Sequence, residues 1–394
     1  MILLLYFSVT LFFAVLLSCV AKRTVLSTAV LFLGAGLLFG SGWLGSQDVP
    51  NERLLESVSE IALFSVLFTD GMRTGGLREI RKNWKLPSRA LLIGMPLTIA
   101  FIGLLAHWLS GLSWTWSFLL GAVLSPTDPV FVSAIFEIEA VPERIKRLLN
   151  IESGINDGVA LPIVVLLLST VGTQKEDPTR LALQLLAGVA VGIVVPLLGI
   201  RLEQTRFFGA AGIYEPLNAF ALGLLVLVLS YTLHVNLFLA AFASGITIAS
   251  RNQGLVKSFR EFGDLIAELL KLSTLLIFGA RIAPRLLSGV GLADAVFIVL
   301  SVFAVRTAAT LIAFVSSGLP THEVLTVGWF GPKGFASVVY GLMVLRLGTA
   351  SGYHAAKLIY LAIVASIVVY SSTDIFVARW FKHESREPQP YSQT

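Results

Sequence analysis

The chain has 394 residues, of which 56% are hydrophobic and only 13% are charged. A soluble domain carries about 25% charged residues, so this composition excludes a chain that folds entirely in water. The net charge of +5 does not indicate nucleic-acid binding, because the basic residues lie between long apolar runs, as in membrane proteins.

Thirteen stretches are apolar and long enough to cross a bilayer, which takes about 20 mostly apolar residues. They are 2–20, 25–44, 54–70, 87–109, 114–137, 149–172, 180–202, 215–233, 235–250, 263–283, 290–316, 323–346 and 355–381. We therefore predict an all-α polytopic membrane protein over residues 1–382 and a short disordered tail over residues 383–394. The N-terminus lacks the basic residues of a secretory signal, so the first span is predicted to be retained.

Lysine and arginine are distributed unequally between the two sides of these spans. Nineteen lie in the loops and tail on the side of the C-terminus, and seven lie on the side of the N-terminus. Because basic loops stay in the cytoplasm, we expect the N-terminus outside and the C-terminus inside the plasma membrane. The sequence contains no phosphate-binding loop, so nucleotide-driven transport is not predicted.

The fifth span is interrupted in its middle by residues 125–129, Ser-Pro-Thr-Asp-Pro. Two prolines three residues apart remove backbone donors and crowd preceding carbonyls, so the helix should unwind there. Unwound backbone is tolerated inside a membrane only where it is buried in protein or lines a watery cavity, and transporters use it to hold ions. We expect a functional break with Asp128 capping the second half of the span; a simple proline kink is the alternative.

The sixth span carries oxygen-bearing side chains at helical spacing. Glu152 stands one turn from Asn156, and Ser153 one turn from Asp157. The apolar run 159–168 follows Asp157, so this carboxylate should be desolvated. Desolvation favours the protonated carboxyl and a nearby cation favours the ionised one, so a proton and a metal cation would compete for Asp157. Alternatively, these polar residues only form the N-terminus of a helix beside a loop. That interpretation fits Glu152 well and Asp157 poorly.

Arg306 lies in the middle of the eleventh span. A lone arginine there needs a carboxylate partner, and we predict Glu152, which leaves Asp157 free to titrate. The alternative is that Arg306 reaches the membrane interface along its aliphatic stem.

The twelfth span is interrupted by residues 331–334, Gly-Pro-Lys-Gly. Two broken spans, one in each half, are typical of inverted-repeat transporters, here with spans 1–6 and 8–13 as repeats and span 7 as the link. Lys333 is predicted to offset the charge of Asp128 and of the helix ends where the broken spans cross. The alternative is that Lys333 lies near the end of the span and extends its side chain to the membrane interface.

These residues lead to a cation/proton antiporter as the first hypothesis. A cation channel is an alternative, although a single buried carboxylate suits exchange better than a continuous pore. An intramembrane aspartyl protease using Asp128 and Asp157 is a weaker alternative, because it explains neither Arg306 nor the second broken span. Asp70, at the end of the third span, is most simply a polar boundary residue.

Several motifs together resemble the Na⁺/H⁺ exchanger family of monovalent cation/proton antiporters, in its prokaryotic NhaP-like branch. The motifs are residues 67–73, 127–129, 152–158, 238–242 and 328–334, which follow the order of the family and span most of the chain. The resemblance implies an NhaA/NhaP-like antiporter fold, and a homodimer in which a mobile six-helix core moves past a dimerisation domain. It implies a transporter of Na⁺, or of K⁺ or Li⁺, in exchange for H⁺, with no enzyme activity, no cofactor and no nucleic-acid or nucleotide partner.

The resemblance also implies roles for individual residues. Asp157 would bind the cation and the proton in turn, and Asn156 beside it is similar to the electroneutral members. Lys333 stands where the family commonly carries arginine. The other positions are Thr127, Asp128 and Ser153, which would help form the site, and the pair Glu152 and Arg306, which would hold the core together.

Overall fold

A computed structural model describes residues 2–21, 28–40, 52–128, 141–172, 177–205, 214–281 and 290–384. Its helices are α1 (Ile2–Ala21), α2 (Thr28–Gly40), α3 (Glu52–Arg73), α4 (Gly76–Lys82), α5 (Lys85–Ser110), α6 (Trp114–Leu124), α7 (Glu143–Val171), α8 (Pro178–Glu203), α9 (Glu215–Thr232), α10 (Leu237–Arg251), α11 (Gln253–Arg281), α12 (Leu292–Ala313), α13 (Thr321–Trp329), α14 (Phe335–Arg346) and α15 (Ala350–Glu384). Residues 90–94 of α5 are π-helical, and the described residues also contain one isolated β-bridge. The predicted all-α class is confirmed.

The helices follow the predicted spans closely. Each of the thirteen predicted spans coincides with one helix or with helix on one or both sides of an interruption, which is consistent with thirteen crossings. Six of the described helices are long and apolar enough to cross a membrane by length and composition. The second half of the fifth span, from residue 129, lies outside the described residues. Helix α15 extends two residues into the predicted tail, and the rest of the tail also lies outside them.

Large apolar side chains cover the outer surface of the bundle. Leu92, Leu183 and Leu186 are 67%, 62% and 68% exposed, and they belong to helices that meet the criteria for spans. Contiguous apolar surface of this kind is unfavourable in water and suits the lipid tails of a bilayer.

The helices pack in two groups. The α3 group contains α1–α4 and α8–α11, and the α7 group contains α5–α7 and α12–α15. The main contacts between the groups are those of α7 with α3 and α10, of α14 with α3, and of α15 with α2. The functional residues predicted from the sixth and later spans therefore lie in the α7 group, with Asp70 facing them from α3.

Glycines allow close backbone contact inside the α3 group. Gly36 and Gly40, one turn apart on α2, face Leu276 and Ala280 of α11, and a Cβ at either glycine would overlap a backbone carbonyl oxygen of α11. Small residues at this spacing let two helices approach until their main chains touch, which is a common way of packing helices in lipid.

Both predicted interruptions are present, and they cross. Helix α6 ends at Leu124, and the chain then runs without helix through Asp128. Helix α13 ends at Trp329 and α14 begins at Phe335. The two unwound segments meet in an antiparallel bridge between Thr127 and Lys333. The crossing brings the broken spans of the two halves of the chain together at one point.

Candidate functional site

Helix α7 holds the unwound segment of the first broken span. The hydroxyl of Ser153 donates to the backbone carbonyl of Thr127 at 2.8 Å. The amide Nδ2 of Asn156 donates to the same carbonyl at 3.1 Å and to the Thr127 hydroxyl at 2.8 Å. Ser153, Asn156 and Thr127 are thus brought together. A freed carbonyl inside the membrane is costly unless it finds donors, and two side chains of α7 supply them.

Asp157 follows Asn156 directly and is only 3% exposed. Among the described residues, its Oδ1 and the Oδ1 of Asn156 have no hydrogen-bond partner. Buried oxygens without partners are unfavourable and occur where a group is bound or transferred. A buried carboxylate oxygen and a buried amide oxygen are both ligands that suit a hard monovalent cation, and the carboxylate can also take up a proton. Within the described ranges, no three His, Cys, Asp or Glu side chains group as ligands of a resident metal.

Asp128 lies against the second broken span. Its Oδ2 is 3.5 Å from the backbone N of Phe335, the first residue of α14, and its own N–H donates to the Pro332 carbonyl at 3.1 Å. A Cβ added at Gly334 would lie 3.2 Å from the Cβ of Asp128. The carboxylate thus meets the positive end of the α14 dipole. The predicted capping of its own second half-span concerns residues outside the described part.

Glu152 and Arg306 form a buried ion pair. The Nη2 of Arg306 donates to Oε1 of Glu152 at 2.8 Å, and both side chains are buried. Within the described part of the chain, Oε2 of Glu152 and Nε of Arg306 have no hydrogen-bond partner, so the contact is single rather than forked. Gly331 makes room for it, because a Cβ there would overlap the arginine side chain. The glycine of the second break and the ion pair are therefore coupled sterically.

Lys333 is 1% exposed and lies in the unwound segment between α13 and α14. Its backbone N–H donates to the Ser366 hydroxyl of α15 at 2.8 Å, while its Nζ has no hydrogen-bond partner among the described residues. A buried ammonium without a partner is unfavourable.

Asp70 is buried rather than a boundary residue. Its carboxylate accepts from Arg73 at 3.1 Å, and Arg73 also pairs with Asp264 of α11 at 3.0 Å. A Cβ added at Gly154 of α7 would lie 3.3 Å from the Asp70 carbonyl oxygen, so this end of α3 packs against the helix that carries Asp157. Asp70 and Arg73 are three residues apart, a spacing that places two side chains on the same face of a helix. This spacing is the feature of the sequence that could have indicated their ion pair.

Two residues of α14 were missed by the sequence reasoning. The hydroxyl of Tyr340 donates to the backbone carbonyl of Asp157 at 3.0 Å, and the hydroxyl of Ser337 donates to the carbonyl of Val123 at 2.7 Å. Nothing in a single sequence identifies such contacts, because the partners are main-chain atoms of distant helices.

A further cluster joins α3 to α14 away from the crossing. Arg346 pairs with Glu56 at 2.6 Å and with Glu60 at 3.3 Å, and Tyr231 donates to Glu60 at 3.0 Å. Arg346 is the last residue of α14 and of the twelfth predicted span. The cluster is partly exposed, and it crosses the boundary between the two helix groups.

Comparisons with known proteins identify the family of the chain. The profile of the family described as "Sodium/hydrogen exchanger, transmembrane" matches residues 8–380. The chain is 26% identical over 390 residues to the K⁺/H⁺ antiporter NhaP of Alkalimonas amylolytica, covering 97% of this chain and 67% of the relative. It is 29% identical over 292 residues to the Na⁺/H⁺ antiporter ApNhaP of Aphanothece halophytica, covering 68% and 54%. The chain thus spans about two thirds of the length of the first of these relatives.

A solved structure has the same fold. The sodium proton antiporter MjNhaP1 of Methanocaldococcus jannaschii superposes with a TM-score of 0.77 over 96% of this chain and 98% of that chain. The sequence identity is 18%, so this likeness establishes the fold alone. The predicted NhaA/NhaP-like fold is confirmed.

Proposed function

From the premise that the chain belongs to the sodium/hydrogen exchanger family, we propose that it exchanges one monovalent cation for one proton at Asp157. Members of this family are membrane transporters, not enzymes, and use no cofactor, so the chain is a multi-pass cation/proton antiporter. The observation that carries the proposal for Asp157 is its buried Oδ1, which has no partner among the described residues; the Oδ1 of Asn156, the preceding residue of α7, is also unpartnered there.

The exchange follows from the competition of two cations for one carboxylate. A bound metal cation keeps Asp157 ionised, whereas a bound proton neutralises it, so the two occupy the site in turn. Asn156 offers an oxygen without charge, so the occupied site is neutral with either substrate. We therefore propose an electroneutral exchange. Thr127 and Ser153 hold the unwound segment beside the ion.

The charges around the site have supporting roles in this proposal. Asp128 faces the positive end of α14, and the Lys333 ammonium offsets the carbonyl ends of the broken helices. The pair of Glu152 and Arg306 ties α7 to α12, so both helices move together.

We propose that transport is an elevator-type movement of the α7 group past the α3 group. All the proposed ion-binding residues belong to the α7 group or to the segment between α6 and α7, which supports a movement that carries the site as a unit. The α3 group would then form the dimer, with the N-terminus outside and the C-terminus in the cytoplasm, as the distribution of basic residues suggests.

Na⁺ is the cation that we propose to test first. The names of the relatives carry both ions, K⁺ for the NhaP of A. amylolytica and Na⁺ for the ApNhaP of A. halophytica. Both are monovalent, so a transport assay should rank Na⁺, K⁺ and Li⁺ under the same conditions.

The test is cation-driven proton movement in proteoliposomes that contain a pH-sensitive dye. We expect flux in the wild type that is insensitive to membrane potential and absent in Asp157→Asn. The matched control is Asp177→Asn at the exposed N-cap of α8, where asparagine caps as well as aspartate, and it should transport like the wild type.

Full proton flux in Asp157→Asn would overturn the proposed site. Flux that follows an imposed membrane potential would contradict one-for-one exchange. Ion currents larger than a carrier can turn over would favour a channel instead.

A further inference from the structure

Tyr340 places a hydroxyl deep inside the α7 group. The residue is 0% exposed, and a buried hydroxyl needs a hydrogen-bond partner. Its partner is the main-chain carbonyl of Asp157, 183 residues away in the chain, at 3.0 Å. The contact thus reaches the backbone of the proposed ion-binding residue and not its carboxylate.

The carbonyl of Asp157 is adjacent to an interruption in the backbone hydrogen bonds of α7. In an α-helix each carbonyl accepts from the N–H four residues later, and Pro162 has no N–H. The carbonyl of Gly158 therefore lacks its helical donor, and the proline ring crowds the same turn. The Tyr340 hydroxyl donates to the adjacent carbonyl, that of Asp157. It therefore stabilises the turn of α7 that has lost a backbone hydrogen bond.

Helix α14 contacts the other parts of the site in the same way. Ser337, one turn before Tyr340, donates to the carbonyl of Val123 in the last turn of α6. The first residue of α14, Phe335, meets Asp128. One helix thus bonds to the main chain on both sides of the proposed ion site.

We propose that Tyr340 is a positioning residue that sets the affinity of Asp157 for its cation and proton. This rests on the proposed function of Asp157. Among the described residues, the titratable groups near the Asp157 carboxylate include Asp70 from α3 and Asp128 from the broken span, while α10 presents the uncharged ring of Phe242 to the same turn. A small displacement of the turn changes the distance of Asp157 from both carboxylates and from its oxygen neighbours.

Tyr340→Phe removes the hydroxyl and keeps the ring, so it tests the contact directly. We expect the half-saturating cation concentration to rise about fivefold, the factor that follows from the loss of one buried hydrogen bond. The pH of half-maximal transport should shift as well. The rate at saturating cation should stay within about twofold of the wild type, because Tyr340 touches neither the ion nor the carboxylate.

Tyr360→Phe is the matched control. Tyr360 is 1% exposed, and its hydroxyl has no partner among the described residues. Its ring lies against Gly341, the residue after Tyr340, so the two substitutions probe the same region. We expect Tyr360→Phe to transport like the wild type.

Tyr370→Phe separates positioning from general loosening. The Tyr370 hydroxyl donates to the carbonyl of Val302 at 2.9 Å and joins α15 to α12. Tyr370→Phe removes a similar buried hydroxyl-to-carbonyl bond, so we expect it to lower the thermal unfolding temperature as much as Tyr340→Phe does. Only Tyr340→Phe should change the cation affinity and the pH profile, and an equal change in Tyr370→Phe would overturn the positioning role.

Two outcomes separate this inference from the proposed function. If Tyr340→Phe matches the wild type while Asp157→Asn is inactive, the positioning role is wrong and the site stands. If Asp157→Asn transports normally, the site itself is wrong.

Discussion

At the scale of single residues, the proposed site combines buried polar groups that are fully hydrogen-bonded with buried oxygens that are not. Asp157 and Asn156 each keep one oxygen without a partner among the described residues, whereas Ser153 and the amide of Asn156 are fully engaged with Thr127. Protein interiors rarely leave such atoms unsatisfied. In the proposed mechanism, the engaged groups would build the site and the unengaged oxygens would bind its substrates.

The buried pair of Glu152 and Arg306 leads to a prediction about stability. Glu152→Gln would leave the arginine buried without a counter-charge, which costs about 3–5 kcal/mol of folding free energy. We expect a large drop in the thermal unfolding temperature of the purified protein in detergent.

Glu143→Gln is the control for this prediction. It lies in the first turn of the same helix, its side chain is 71% exposed, and it pairs only loosely with Lys146 at 3.5 Å. Its effect should stay under about 0.5 kcal/mol, as for other exposed pairs. Equal unfolding temperatures for the two variants would show that the buried pair does not stabilise the fold.

At the scale of elements, the second broken span depends on a residue with no side chain. A Cβ at Gly331 would overlap Cδ and Nε of Arg306. We therefore expect Gly331→Ala to destabilise the protein by about 1–3 kcal/mol through overpacking, and to reduce transport because the ion pair is displaced.

Gly34→Ala is the comparison for this substitution. Gly34 lies within α2, and a Cβ there would meet no described atom within 4 Å. Alanine is also the better helix former, so Gly34→Ala should be neutral or stabilising by up to about 1 kcal/mol. The same two assays, thermal unfolding and proton flux, apply to both variants. A Gly331→Ala protein as stable and active as Gly34→Ala would contradict the packing around Arg306.

At the scale of the whole molecule, the cluster of Arg346 with Glu56 and Glu60 is a polar contact that crosses from one helix group to the other. These side chains are partly exposed, so the ion pairs contribute at most about 1 kcal/mol to stability. An elevator movement must nevertheless break them in each cycle. We expect Arg346→Gln to leave the unfolding temperature almost unchanged and to alter the turnover rate by about two- to fivefold.

An ion pair inside one group provides the control. Arg144 pairs with Glu323 at 2.5 Å and joins α7 to α13 within the α7 group, so an elevator movement leaves it intact. Arg144→Gln should leave the turnover rate at the wild-type value in the same proteoliposome assay. If both variants change the rate equally, the boundary between the groups is not where the movement occurs.

Much of the fold could be predicted from the sequence, because its causes are local. A run of about 20 apolar residues forms a span wherever it stands, and two prolines or a Gly-Pro-Lys-Gly stretch interrupts a helix whatever surrounds it. Arg306 and Asp157 were recognisable as unusual because a charge inside a membrane is costly in any fold. The family motifs are also local strings, and the matching profile over residues 8–380 confirms that membership.

Apart from the pair of Glu152 and Arg306, which groups meet was decided only by the tertiary structure. The Thr127 carbonyl receives Ser153 and Asn156, Asp128 faces the start of α14, and Tyr340 reaches the backbone of Asp157, all across long stretches of chain. Such pairs depend on how helices pack and cross, and many compact arrangements satisfy the same pattern of apolar runs. The sequence by itself therefore determined the spans, their breaks and the residues that need an explanation, whereas packing decided the partners of each, because hydrogen bonds require atoms to meet within about 3 Å.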